Sequence, residues 1–312
     1  MIGTALATAV VLIAFLVLQS ERHGYHVHTS GIILITGAST GIGRDAAEYL
    51  ATNFNYLVLA GVRKEVDYNA IKEKNTKNLV PFIIDVSVPH SLNKAVSDLK
   101  MMMDQHNLPF IGLVNNAGVG AFSPLEFQDI AGARSLFDAN VFGVLHLTQL
   151  TLPLLRSSKG RIVNLSSLSG IVSSPFSGLY AASKFAVEAL SDSLRREVAP
   201  HGVSVSIIEP GYVKTQIMQS ALKNGDGVRV EPVSEEWLAV YPASAKRDAM
   251  AVMIETMPGP ASTTTPAIVD ALTAAFPKTR YPVAQAGGLG AKVLSWIVWA
   301  TTDRIKDFIF QK

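Results

Sequence analysis

Ile32-Ile33-Leu34-Ile35-Thr36-Gly37-Ala38-Ser39-Thr40-Gly41-Ile42-Gly43 is the stretch on which the fold turns. Aliphatic residues from Ile32 to Thr36 form a strand with no polar face, and a helical pattern follows over residues 42–53. Gly37 permits the tight turn between them, Gly41 lets backbone approach a pyrophosphate, and Gly43 allows close helix packing. Thr36, Ser39, Thr40 and Ile42 complete the turn, whose helix N-terminus presents free N–H groups to phosphates. No Gly-Lys-Ser/Thr follows, which disfavours a nucleotide triphosphate loop, and a simple tight turn would need one glycine rather than three.

Outward from this unit, strands are expected at residues 56–60, 80–84, 111–114, 161–165 and 203–208, with helices near 90–105, 126–156 and 179–199. Strands alternating with helices, several apolar on both faces, mean a parallel sheet covered on both sides. The 312 residues are 48% hydrophobic and only 17% charged, against about 25% charged in ordinary soluble domains. A balance of 27 Lys+Arg against 25 Asp+Glu and the absence of a basic run leave nucleic acid out of the expected partners. With no cysteine, disulfides, iron–sulfur clusters and cysteine zinc sites are excluded.

Much of the apolar excess lies in Ile2 to Leu18, 17 residues without a charge. As a helix they would cover about 25 Å, close to a thin hydrocarbon core. No Lys or Arg precedes the run and no small-residue cleavage pair follows, which favours a retained anchor over a cleaved signal peptide. The expected organisation is therefore a membrane helix over 1–20, a linker over 21–30, one catalytic domain over 31–285 and an apolar C-terminal segment over 286–312. Within the domain, residues 212–265 read as an irregular substrate loop. His23, His26 and His28 have no accompanying carboxylates and read as polar linker rather than as a metal site.

Tyr180 and Lys184 are four apart, on one face of the expected helix. A tyrosine with its ordinary pKa near ~10 is a poor base at neutral pH, and a neighbouring ammonium favours its phenolate. With the glycines at 37, 41 and 43, the segment Asn115-Asn116-Ala117-Gly118 and the pair Tyr180/Lys184, the chain resembles the short-chain dehydrogenase/reductase family over about residues 31–215. The resemblance implies a single Rossmann-type doubly wound sheet and a catalytic tetrad. Ser167, thirteen residues before Tyr180, would bond the reacting oxygen, and Asn140, 27 before Ser167, would kink its helix and hold a relay water. It further implies cofactor contacts from Asp85 and Val86 to the adenine, from Asn116, Ala117 and Gly118, from Tyr180 and Lys184 to the ribose, and from Pro210, Gly211, Val213 and Thr215 to the nicotinamide. No metal is implied.

The cofactor is NAD(P)(H). No acid ends the second strand to hold a ribose 2′-OH; Arg63 and Lys64 stand there, able to pair with a 2′-phosphate, which leans the reading to NADP(H). Ile217, Met218, Leu222, Trp237, Tyr241, Met250, Met253, Ile254 and Met257 suit an adaptable apolar pocket or ordinary lid packing. The end of the chain, Thr279-Arg280-Tyr281-Pro282 and then Trp296 and Trp299, resembles membrane-associated retinol and hydroxysteroid dehydrogenases and 3-hydroxybutyrate dehydrogenase. A lipophilic alcohol or carbonyl, a membrane and a homodimer or homotetramer are thus the expected partners, and the endoplasmic reticulum or another internal membrane the expected location. A short hydroxy-acid dehydrogenase and a non-catalytic dinucleotide sensor are the alternatives. An epimerase would space its glycines differently.

Overall fold

A computed structural model describes residues 24–214, 235–241, 259–286 and 289–310. Its strands are β1 (Gly31–Ile35), β2 (Tyr56–Val62), β3 (Leu79–Ile83), β4 (Phe110–Asn115), β5 (Arg161–Leu165), β6 (Ser204–Pro210) and β7 (Arg280–Val283). All seven run parallel in the order β3-β2-β1-β4-β5-β6-β7. This is the Rossmann-like arrangement, and its order reverses between β1 and β4, the crevice where open α/β sheets bind ligands. The helices are α1 (Gly41–Asn53), α2 (Glu65–Lys74), α3 (Pro89–His106), α4 (Ile130–Phe137), α5 (Gly143–Ser158), α6 (Gly178–Val198), α7 (Glu235–Val240), α8 (Thr265–Thr273), α9 (Ala291–Ala300) and α10 (Asp303–Phe310).

Strand alternation divides the core. Ile33, Ile35, Val58 and Ala60 pack under Ala46, Ala47 and Leu50 of α1 and Ile268 and Leu272 of α8. Ile32, Leu34 and Leu59 point the other way, against Leu92 and Leu99 of α3 and Leu147 and Leu155 of α5. The central strands β1 and β4 are buried on both faces, the reason for the aliphatic run of β1. Helices α2 and α3 stop at Asn75 and Asn107, both left-handed, a conformation asparagine tolerates.

Three elements depart from expectation. The helix expected over 126–156 is a 3₁₀ turn (Leu125–Phe127), α4, a π-helical turn over Asp138–Phe142 and α5. A seventh strand forms where none was expected; Pro282 cannot donate to a ladder, which an edge strand paired only with β6 allows. Helix α2 was also unforeseen, because charge dominates it and only Ile71 is buried.

The expected anchor over 1–20 lies outside the described residues, as does His23. Among the described residues no helix is long and apolar enough to cross a membrane. Residues 24–30 are tied to the domain: Tyr25 N–H donates to Ala275 O (2.8 Å), Tyr56 Oη to His28 O (2.7 Å) and Arg161 Nη2 to His26 O (2.8 Å). In the C-terminal segment, α9 has two faces. Ala291, Leu294 and Val298 are buried, Ala291 and Leu294 against Leu168 and Ile171, while Trp296 and Trp299 are 66% and 84% exposed.

Candidate active site

The turn after β1 closes against the turn after β4. Gly37 and Gly41 have φ of 66° and 60°, in the region that favours glycine. A Cβ on Gly43 would lie 2.3 Å from Asn116 Nδ2 and 2.6 Å from Gly37 O, so α1 can pack this closely only with glycine there. Thr36 Oγ1 donates to Val114 O (3.3 Å) and accepts from the N–H groups of Asn116 (3.1 Å) and Ala117 (3.0 Å). Asn116 Nδ2 donates back to Thr36 O (2.8 Å) and Gly37 O (3.0 Å). Asn115 continues inward, its Nδ2 donating to Asn164 Oδ1 (2.8 Å), while Asn164 Nδ2 donates to Ser191 Oγ (2.8 Å). Helix α1 starts with no capping bond from the Thr40 side chain and no acidic residue in its first turn, so its positive end suits an anion.

Asp85 follows β3, its Oδ1 accepting from the N–H and hydroxyl of Ser87 (3.0 and 2.6 Å). Val86 O fixes the start of α5: a Cβ on Gly143 would come within 2.5 Å of it. A cavity of about 240 Å³ opens beside Val86, Asp138, Phe142 and His146, but none of the tetrad lines it. Arg63 and Lys64 are exposed just beyond β2. Thr215 lies outside the described residues. Pro210, Gly211 and Val213 are described; Gly211 N–H donates to Val283 O (2.9 Å) and Tyr212 N–H to Gln285 O (2.8 Å), which closes the end of β6 against β7.

Asn140 sits in the π turn, buried. Its Nδ2 donates to Val119 O (2.9 Å) and Ser183 Oγ (3.0 Å), and its Oδ1 accepts from Val119 N–H (2.8 Å). A side chain serving backbone 21 residues away takes the helix off its regular path. Lys184 is buried on α6, its Nζ donating to Leu165 O (2.8 Å) and standing 5.7 Å from the centroid of the Tyr180 ring. A Cβ on Gly118 would lie 3.1 Å from Asn140 Oδ1 and 3.7 Å from Lys184 Nζ, so both side chains pack against this glycine. Ser167 Oγ accepts from Ser169 N–H (3.1 Å).

Burial lowers the Lys184 pKa to about 8, against an opposing pull from Glu188. At Tyr180 burial dominates and raises the pKa, with the Ser167 hydroxyl working the other way.

Of the expected lid residues, Ile217, Met218, Leu222, Met250, Met253, Ile254 and Met257 lie outside the described residues, and Trp237 falls in α7. Tyr241 joins residues that sequence reasoning passed over. Phe176 packs on Phe122 (centroids 5.5 Å) and Tyr241 (5.9 Å), Tyr241 on Phe127 (6.2 Å), and Tyr241 Oη donates to Glu126 Oε2 (2.9 Å). Phe176 has φ of 66°, strained for a bulky residue, four positions before Tyr180. Also unforeseen were Ser183, which braces Asn140, and Glu188 and Arg280. Glu188 lies one turn after Lys184, a spacing that would have pointed to it.

The family model for short chain dehydrogenases matches residues 31–226. An NADPH-dependent 3-dehydrocapnine reductase of Ornithobacterium rhinotracheale is 32% identical over 284 residues, covering 89% of this chain and 95% of the relative. The mitochondrial D-beta-hydroxybutyrate dehydrogenase of Mus musculus is 32% identical over 290 residues, covering 88% and 82%. A short-chain dehydrogenase from Streptomyces avermitilis has a similar structure, with a TM-score of 0.70 and 26% identity over 90% of this chain and 96% of that one.

Proposed function

The chain belongs to the short-chain dehydrogenase family, whose members are NAD(P)-dependent oxidoreductases, and from that premise we propose that it interconverts an alcohol and a carbonyl on a lipophilic substrate. The observation that carries the reading is that Lys184 stands beside the Tyr180 ring and packs with Asn140 against Gly118, with Ser167 acting on the Tyr180 phenol. Tyr180 gives its proton to the carbonyl oxygen in reduction and recovers it from the alcohol in oxidation. Ser167 donates a hydrogen bond to the same oxygen, stabilising the charge that builds there. Lys184 supplies the positive charge that eases loss of the phenol proton, and Asn140 holds the backbone through which water reaches the lysine.

The residues fit a dinucleotide. The uncapped start of α1, the glycine turn over Thr36–Gly43 and the buried ammonium of Lys184 suit phosphates and ribose. Asp85 and Val86 would take the adenine, Asn116, Ala117 and Gly118 the middle, and Pro210, Gly211, Val213 and Thr215 the nicotinamide. That nicotinamide supplies the hydride site. Arg63 and Lys64, which stand where an acid would otherwise end β2, favour NADP(H), a reading supported by the NADPH dependence in the name of the reductase relative.

A lipophilic substrate is supported by the aromatic rim of Phe122, Phe176 and Tyr241 and by the exposed tryptophans of α9. The same tryptophans and the apolar run over residues 2–18 support a protein held at an internal membrane, such as the endoplasmic reticulum. Exposed Ile130, Phe142 and Phe185 along α4, the π turn and α6 support self-association into a homodimer or homotetramer. A panel of retinoids, steroids, acyl ketones and short hydroxy acids, run with NADPH and NADH, tests the substrate. Turnover confined to short hydroxy acids would replace the lipophilic reading with that of a 3-hydroxybutyrate-like dehydrogenase. Deletion of residues 1–20 should move the protein from the membrane pellet to the soluble fraction; retention in the pellet would assign the attachment to the C-terminal segment or another surface.

A further inference from the structure

Behind the catalytic helix three carboxylates meet one guanidinium. Arg280 Nη2 lies 3.1 Å from Glu188 Oε2 and 3.0 Å from Asp192 Oδ2, and its Nε lies 3.2 Å from Glu209 Oε1. Nε also donates to Glu188 Oε2 at 3.2 Å. Glu188 and Glu209 are buried, at 7% and 2% exposure, so neither is a surface ion pair of small effect. The cluster joins the parts that build the site. Glu188 is one helical turn beyond Lys184 on α6, Glu209 directly precedes Pro210-Gly211, and Arg280 opens the strand whose far end holds Gly211 and Tyr212. A Cβ on Gly170 would touch both Ser166 Oγ (2.5 Å) and Glu188 Cγ (3.1 Å), which packs Glu188 under the segment carrying Ser167.

A buried ammonium bonded to one carbonyl is costly unless a negative charge stands near. On its own helix the nearest carboxylate is Glu188. Burial, and then Asp192, oppose the ionisation of Glu188, while the Ser166 hydroxyl and Arg280 favour it, Arg280 being the cation that reaches its carboxylate. We propose that Glu188 is a positioning residue that keeps Lys184 in its ammonium form, and that Arg280 serves the site by keeping Glu188 ionised. The groups facing this device are Lys184, Asp192 and Arg195 from α6, Ser166 just past β5, Glu209 from β6 and Arg280 from β7. The inference rests on the reading of Lys184 as a dinucleotide ligand.

Its test is NADPH affinity, followed by nicotinamide fluorescence between about pH 6 and about pH 10, which needs no substrate. Wild-type affinity should fall as pH rises past about 8, where the free protein loses the Lys184 proton. Glu188→Gln should bring that fall about one unit lower, so that near pH 9 NADPH binds about tenfold more weakly than to wild type while affinity near pH 6 stays within about twofold. Arg280→Met should move the fall the same way and Arg280→Lys should restore it. The Arg280 pair carries the test alone if circular dichroism finds Glu188→Gln unfolded. A fall at the wild-type pH in Glu188→Gln and Arg280→Met, or an equal loss at every pH, would overturn the inference and leave the dinucleotide reading standing. A wild-type protein that binds neither NADPH nor NADH would overturn both.

Discussion

The crevice between β1 and β4 and the edge formed by β6 and β7 hold two halves of one site by opposite means. At the crevice, Thr36, Asn115 and Asn116 bond to backbone and to each other, and glycines let the turns touch. No group in that network titrates. At the edge, three carboxylates and Arg280 hold α6, β6 and β7 together through charge. The part that shapes the dinucleotide site is thereby insensitive to pH, while the part behind the reacting lysine responds to it.

Helix α6 is gripped by both regions, through Ser191 on one side and Glu188 on the other, and substitution at its reacting residue has the largest expected effect. Tyr180→Phe should lower turnover by about a thousandfold with NADPH binding retained, measured at the nicotinamide absorbance band; substantial residual turnover would end the proton-donor assignment. Gly43→Ala strikes the neutral region. Its Cβ has no room beside Asn116 and Gly37 O, and chemical denaturation should find a loss of about 3 kcal/mol, the same at every pH. A pH-dependent loss would break the contrast between the regions. Arg63→Glu, at the rim of the crevice, should weaken NADPH about tenfold and spare NADH, by isothermal titration. An equal effect on both cofactors would remove Arg63 from the 2′-phosphate.

Glu209→Gln probes the charged edge, with the smallest effect. Burial, more than neighbouring carboxylates, lifts the Glu209 carboxyl from 4.5 to about 7. Because the folded-state value is the higher one, its contribution to stability is present below 4.5 and is lost as pH rises to about 7. The variant lacks that slope. Its melting temperature relative to wild type should therefore rise between about pH 5 and about pH 8. A gap that does not change with pH would mean that Glu209 stays ionised throughout.

Six strands were legible because each carries a short aliphatic run, Ile32 to Ile35 and Ile162-Val163 among them, that the covered sheet buries. Strand β7 was not: Arg280-Tyr281-Pro282-Val283 mixes charge, ring and proline, and its register comes from Ile207 to Pro210 across the ladder. The tetrad was legible because Tyr180 and Lys184 lie on one helix and the resemblance supplied the offsets to Ser167 and Asn140. The break in the helix at Asn140 was expected from the resemblance alone, since no proline marks it and its cause, a bond to Val119, appears only in the fold. Glu188 and Arg280 stand 92 positions apart, and only the folded sheet brings them together.

The π turn over Asp138–Phe142 carries a consequence for how the chain can vary in length. A π turn is an α-helix with one residue to spare, so the loss of one residue there would still leave a continuous, well-bonded helix. Each residue of such a helix turns the chain by about 100°. Deleting Val141 would thus keep the helix and swing α4 and Asn140 about a third of a turn away from Val119 and Ser183. A chain lacking Val141 would therefore lose the Asn140 bonds to Val119 and Ser183 on which the proposed water path to Lys184 depends.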